Sequence, residues 1–182
     1  GYEAYRGMEN VSFDLYIDTE DGSVFYGTFK PEQKLVEGGV YESVIEFDTA
    51  EERNITIYFP ILNPVSDLYI GLSKDAQIAA SAAAYEDIGK IVWYGSSITQ
   101  GGSVSSPGKT YAATVSRNFN MDFLNLGFWG SAKGETEIAT YIAAMDDIAV
   151  FVLDYDHNER DAGVLKTKQW NFYETVRNAH PD

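Results

Sequence analysis

The sequence predicts two domains of different class: an all-β sandwich, jelly-roll-like, over residues 1–87, and an α/β domain with a parallel sheet over residues 88–182. Two changes of pattern carry this reading. Residues 1–76 alternate apolar and polar side chains between turn residues, whereas from Lys90 onward short apolar runs alternate with stretches of helical period. Between them residues 75–87 are Ala-rich without a strong apolar period, which places the boundary there. At 182 residues the chain has room for one or two domains with buried cores.

In the first half, Phe13, Leu15 and Ile17 alternate with Asp14, Tyr16 and Asp18, and Asp21-Gly22 leads into Val24-Phe25-Tyr26-Gly27-Thr28-Phe29, the pattern of a hairpin. Residues 40–47, 55–62 and 68–72 supply further β-rich runs, each bounded by Gly, Pro, Asn or Asp. Several short strands between turns predict a sandwich. In the second half, the strand Ile91-Val92-Trp93-Tyr94 precedes a glycine-rich loop and a helix with Ala112, Val115 and Phe119 on one face. A strand at Phe123-Leu124-Asn125-Leu126, a helix carrying Ile138, Ile142 and Met145, and a strand at residues 149–153 follow. The last helix carries Trp170, Tyr173 and Val176 and stops before Pro181. The order βαβαβα implies three parallel strands, right-handed crossovers and ligands at the carboxyl ends of the strands.

Composition excludes several functions. Thirteen Lys and Arg against 28 Asp and Glu give a formal net charge of -15, which repels nucleic-acid phosphates and anionic lipid, so neither nucleic acid nor membrane is an expected partner. Residues 1–89 carry 5 basic and 17 acidic side chains and residues 90–182 carry 8 and 11, so the predicted sandwich is the acidic half, either a solvated surface or a sugar-binding face. Without cysteine there is no disulfide, thiolate metal site or thiol nucleophile. No apolar run approaches the roughly 20 residues that span a bilayer. The chain begins at Gly1 without Met, which suggests either a processed start, and with it a secreted or periplasmic protein, or an engineered one, while sequons at Asn10-Val11-Ser12 and Asn54-Ile55-Thr56 leave the compartment open.

The polar residues suited to chemistry sit after the three predicted strands: Gly95-Ser96-Ser97-Ile98-Thr99-Gln100-Gly101-Gly102, then Gly127-Phe128-Trp129-Gly130-Ser131, then Asp154-Tyr155-Asp156-His157-Asn158. Gly108-Lys109-Thr110 imitates a phosphate-binding loop, but five residues separate Gly102 from Gly108 where that cradle needs four. Asp154 and Asp156 suit aspartyl-phosphate chemistry with Mg²⁺, as in haloacid dehalogenase-like phosphatases, although Asn158 stands where that family has Thr or Val. A calcium loop fails because Glu159 and Leu165 replace its glycine and bidentate glutamate. His157 has no spaced partner for a metal site.

Taken together, the three loops resemble the first three blocks of the SGNH (GDSL-like) hydrolases. Tyr94-Gly95-Ser96-Ser97-Ile98-Thr99-Gln100-Gly101-Gly102, with Ser106-Pro107-Gly108-Lys109-Thr110-Tyr111 after it, is similar to the first block. Asn125-Leu126-Gly127-Phe128-Trp129-Gly130-Ser131 is similar to the second, and Val152-Leu153-Asp154-Tyr155-Asp156-His157-Asn158 to the third. The resemblance is to the subgroup with an N-terminal β-sandwich, and it implies a flavodoxin-like hydrolase domain with strand order 2-1-3. It implies ester hydrolysis through Ser97 as nucleophile, with Ser96 where the family often has Asp. The backbone N–H groups of Ser97 and Gly130 and the amide of Asn158 then form an oxyanion hole, and no cofactor or metal is required. Acyl or acetyl esters of carbohydrates are the substrate class it implies.

One block is missing. The family's general base is a His preceded three residues earlier by Asp, whereas His157 belongs to the third block and His180 has Arg177 in the Asp position. The expectation is therefore an N-terminal part of a longer enzyme, weakly active or inactive alone. With the strand at residues 149–153 left as an edge, self-association is also expected. A noncatalytic carbohydrate-binding module and, less readily, a metal-dependent aspartyl phosphatase are the rival readings.

Overall fold

The computed structural model describes residues 11–33, 35, 38–81 and 85–181. The chain divides into two units, one formed by Gly1–Ala84 with Ser103–Lys109, the other by Tyr85–Gly102 with Thr110–Asp182. Asn10 of the first sequon and the alanines 82–84 of the boundary stretch lie outside the described residues.

In the first unit, β1 (Phe13–Thr19) runs between β2 (Gly22–Phe29) and β3 (Asn54–Tyr58), antiparallel to both. Thr19 pairs with Gly22, so Glu20 and Asp21 form the two-residue turn and Gly22 takes the positive φ of 122° that glycine tolerates. Opposite Leu15 and Tyr16 the register with β2 shifts by one, leaving Tyr26 as the extra, bulged residue of β2, and on β1 Asp14, Leu15 and Tyr16 are buried in succession.

Asp14 reads as a solvent-facing polar position of β1 and is instead fully buried. Its Oδ1 accepts from Thr28 Oγ1 at 2.7 Å, and its Oδ2 accepts from Ser106 Oγ at 2.6 Å and the Gly108 N–H at 2.8 Å. Three charge-assisted bonds compensate the loss of water around the carboxylate. Tyr16 Oη donates to the Gly108 carbonyl at 3.2 Å, and a Cβ on Gly108 would fall 2.5 Å from the Tyr16 ring. Lys109 Nζ sits 4.4 Å above the Phe25 ring centroid. The Gly-Lys pair that imitates a phosphate loop is thus a tether within the first unit.

The expected two-sheet sandwich is not formed by the described residues, which give this one sheet. Residues 40–47 and 68–72, expected as strands, join no ladder, and the expected strand at 55–62 ends at Tyr58, before Pro60. Side chains take the place of a ladder at residues 40–47: Tyr41 Oη donates to the Val11 carbonyl at 2.7 Å, Tyr26 Oη to the Glu46 carbonyl at 3.1 Å, and Ile45 fills the space over Gly27. Val40 is 93% exposed and Tyr69 89%, so β propensity there found no partner strand.

The second unit holds β4 (Lys90–Gly95) between β5 (Phe123–Gly127) and β6 (Ile148–Asp154), all parallel, in the order β5-β4-β6; within this unit the first strand is central. Both faces of β4 are covered, as a central parallel strand requires. Val92 and Tyr94 pack with Ala139 and Ile142 of α3 (Thr136–Ala143) and Phe172 and Val176 of α4 (Ala162–Ala179), whereas Ile91 and Trp93 pack with Ala112 of α2 (Tyr111–Phe119) and with Met121.

Two helix faces differ from expectation. Phe119 is 67% exposed because α2 ends at Asn120, whose left-handed φ of 51° closes the helix, and the inward positions are Ala112, Ala113 and Ser116. On α4 the buried residues are Phe172 and Val176, while Trp170 and Tyr173 turn outward to line an apolar hollow with Leu153 and Leu165. The helix ends at Ala179, two residues before Pro181.

Replacing Asp14 by Ala strips Ser106 Oγ and the Gly108 N–H of their shared acceptor, so Asp14→Ala is expected to lose about 3 kcal/mol of stability. Urea unfolding measures it, and a midpoint shift no larger than that of the exposed Asp21→Ala overturns the assignment.

Candidate active site

The central strand ends at Gly95 because no side chain fits there. A Cβ on Gly95 would lie 1.9 Å from Thr99 Oγ1 and 2.4 Å from the Asp154 carbonyl. Ser96 then caps α1 (Ser97–Gln100): its backbone is extended and its Oγ accepts the Ile98 N–H at 3.2 Å. A serine can do this as well as the aspartate common in the family. Ser97, half-buried, is the first residue of α1, so its N–H has no acceptor inside the helix. Gly101, with φ of 103°, ends the turn.

Asp154 fastens this turn from the end of β6. Its carbonyl accepts the Ser96 N–H at 3.0 Å, and its Oδ2 accepts from Thr99 Oγ1 at 2.9 Å and Tyr111 Oη at 2.7 Å. The carboxylate is thereby engaged beneath α1, which weighs against the attacking group of an aspartyl phosphatase. Among the described residues no group of three or more His, Asp or Glu side chains is placed to hold a metal ion.

From β5, the amide of Asn125 donates to the Thr99 carbonyl at 2.8 Å and its Oδ1 accepts the Gly127 N–H at 2.9 Å. A Cβ on Gly127 would fall 2.3 Å from the Gln100 nitrogen, so α1 and the end of β5 approach as closely as backbones can. The loop then makes a single 3₁₀ turn, Trp129–Ser131, packed against α1. Gly130 is exposed within it, and a Cβ there would meet nothing within 4 Å.

Asn158 ends the 3₁₀ turn Asp156–Asn158 after β6, and its Nδ2 donates to the carbonyls of Trp129 at 2.7 Å and Ala132 at 3.0 Å. The structure thus joins the Ser97, Gly130 and Asn158 loops at one edge of the sheet, with both amide protons of Asn158 given to the Gly130 turn. His157 is exposed; His180 follows the last residue of α4, with its N–H on the Val176 carbonyl and its Nε2 buried.

A second network under the Gly130 loop lay outside the sequence reading. Tyr94 Oη donates to Glu135 Oε2 and accepts the Gly134 N–H at 2.9 Å, Glu135 Oε1 accepts the Lys133 N–H at 2.8 Å, and Lys133 Nζ donates to the Asn158 carbonyl. Gly134 has φ of 73°, and a Cβ on it would lie 2.5 Å from Tyr155 Oη. The one signal in the sequence is a glutamate just before a predicted helix, which many surface helices share. Burial, reinforced by the Glu135 bond, raises the Tyr94 phenol above its ordinary value; burial and the Asp154 bond do so for Tyr111, and burial for Tyr155.

A serine opening the first helix after the central strand of a parallel sheet, with polar loops from both flanking strands beside it, is the strand-end position at which open α/β folds bind their ligands. The chain belongs to the GDSL-like Lipase/Acylhydrolase family, whose model matches residues 89–182, just over half of its length. The SGNH resemblance drawn from the three loops agrees with that membership. Among solved structures, the chain is similar to a GDSL-like lipase, as that structure is described, from Bacteroides ovatus ATCC 8483: TM-score 0.86, 31% identity, 100% of this chain and 52% of that one. It shares the fold of the salicylyl-acyltransferase SsfX3 of a tetracycline biosynthetic pathway, with TM-score 0.68, 16% identity, 97% of this chain and 48% of that one. The chain therefore spans about half the length of these solved relatives. No functionally curated protein matches its sequence.

Each raised phenol stays protonated in the folded state above the ordinary value of 10.0, where an unfolded tyrosine ionises. Their contribution to stability is complete below about pH 10 and lost as pH rises further. Absorbance at 295 nm is expected to show Tyr94, Tyr111 and Tyr155 ionising late and together with loss of circular dichroism. Normal titration of all 13 tyrosines before unfolding would contradict this.

Proposed function

We propose that this chain carries the serine-bearing part of an esterase site that acts on acyl or acetyl esters, with carbohydrate esters as the substrate class. Ser97 Oγ attacks the ester carbonyl carbon and its proton passes to a base; the alkoxide leaves as alcohol on taking that proton, and water hydrolyses the acyl-serine. The N–H groups of Ser97 and Gly130 donate to the oxyanion. Asn158 joins them by exchanging one of its two carbonyl partners for the oxyanion. The family's Asp-x-x-His pair is matched by neither His157 nor His180, so the proposal assigns the base to residues outside this stretch of sequence.

The observation that carries this reading is the convergence of α1, the Trp129–Ser131 turn and Asn158 at the carboxyl ends of three adjacent parallel strands. Asp154, engaged by Thr99 and Tyr111, serves to position Ser97. The proposal also includes self-association through the edge of β6, where Val150 is exposed and Leu153 lines an apolar hollow with Trp170. Sedimentation is expected to show mass rising with concentration, and a monomer throughout removes that element.

A fluorophosphonate probe, followed by intact mass, tests the nucleophile in the full-length natural protein that contains these residues. One adduct on the parent and none on Ser97→Ala is expected; the absence of any Ser97-dependent labelling sinks the esterase reading and favours the noncatalytic carbohydrate-binding module. Asn158→Ala is expected to lower kcat by roughly a hundredfold, and a loss under threefold removes Asn158 from the site.

A further inference from the structure

We infer that Trp129 is a specificity-determining residue: its indole forms a fixed wall beside Ser97 against which the group flanking the scissile carbonyl must pack. The inference rests on the esterase reading above and adds the shape and chemistry of the substrate.

Three independent constraints hold Trp129. Its backbone has φ of 50°, a left-handed conformation uncommon for a bulky residue and the kind of strain that persists only when the surroundings impose it. Its carbonyl accepts the Asn158 amide at 2.7 Å, tying the residue to the third strand-end loop. Its ring occupies the space that a side chain at position 102 would need: a Cβ on Gly102 would lie 2.6 Å from Cζ3 and 3.1 Å from Cη2 of the indole.

The same point is 3.2 Å from the Ser97 carbonyl, so the indole lies within a few ångströms of the nucleophile's own peptide. Gly102 has no positive φ, so its glycine is explained by the ring above it and not by backbone conformation.

For a residue so constrained, Trp129 is unusually open. It is 45% exposed, and Phe128 before it and Ile98, which follows Ser97, are exposed as well. The backbone strain costs folding stability and an indole left 45% exposed returns only part of what its burial would give, so a contact made only with a bound molecule explains their retention. The surface offered is flat, apolar and rich in π electrons. It suits an uncharged group with an apolar face, either the C–H face of a pyranose ring or an aryl or alkyl chain. Position 130 follows directly, so the wall is one residue from the proposed oxyanion donor and borders whatever is bonded to the reacting carbon.

Gly102 makes the idea testable without removing the indole. In the full-length natural protein, kcat/KM is measured for two series of esters: p-nitrophenyl esters from acetyl to octanoyl, and acetyl esters of p-nitrophenol, a methyl pyranoside and ethanol. Trp129→Ala is expected to lower kcat/KM about tenfold for the preferred ester, mainly through KM, and to flatten the preference within one series; Trp129→Phe restores part of it.

Gly102→Ala, which pushes the ring aside, is expected to change the same preference in the parent but to act less than twofold in the Trp129→Ala background. A response in the acyl series assigns the wall to the acyl side, and one in the alcohol series assigns it to the leaving group. Unchanged preference in both series, or an equal effect of Gly102→Ala with and without the indole, overturns the inference. Ser97→Ala is the control: if turnover survives it, the esterase reading has failed, whereas turnover lost in Ser97→Ala with preferences unmoved by Trp129→Ala leaves that reading intact and removes this one.

Discussion

The candidate site depends on one close approach, the point where β4 becomes α1 against the end of β6. Gly95 has no Cβ, Thr99 occupies the space that a Cβ would take, and the Asp154 carboxylate collects the hydroxyls of Thr99 and Tyr111. A four-residue helix is far too short to hold itself in water, because nucleation costs more than so few hydrogen bonds return. Its geometry is set from outside, by a cap at Ser96, by Asp154 beneath it and by the Asn125 amide on the Thr99 carbonyl. Ser97 is therefore placed by residues of all three strand ends.

A second aspartate, this one fully buried, solves a comparable problem in the first unit. Asp14 lies in the middle strand of an antiparallel sheet, at a position whose neighbours alternate, yet it meets the Ser106 hydroxyl and the Gly108 N–H instead of water. In both places a carboxylate takes hydrogen bonds from a segment distant in sequence, 92 residues away for Ser106 and 43 for Tyr111. Hydrogen bonds to a buried charge are stronger than those between neutral groups and leave a high penalty if broken, so they specify which segment lies where. Hydrophobic contact alone is less selective.

The parallel sheet was legible because its central strand has both faces covered, so four consecutive apolar residues, Ile91 to Tyr94, admit few other readings. The three strand-end loops were legible for a related reason: Gly, Ser and Asn where chain direction reverses are chemically distinctive. The first unit was less so. Residues 40–47 and 68–72 have the composition of strands without a partner ladder, and propensity does not reveal whether a partner exists. Trp170 and Phe172 on α4 are likewise both apolar, and only the packing of the helix determined that Phe172 turns inward.

The sequence by itself determined the division into a β-rich and an α/β part, the parallel strands, and a short set of candidates, Ser97, Gly130 and Asn158, at their carboxyl ends. Period and turn chemistry are local properties, written within a few residues of one another. Tertiary structure alone decided that Asp154 supports α1, that the Asn158 amide is held by the Gly130 loop, that Glu135 pairs with Tyr94, and that Gly102 is glycine because the Trp129 ring covers it. Each of those facts joins residues 26 or more positions apart, and such pairings are set by how close packing brings the elements together.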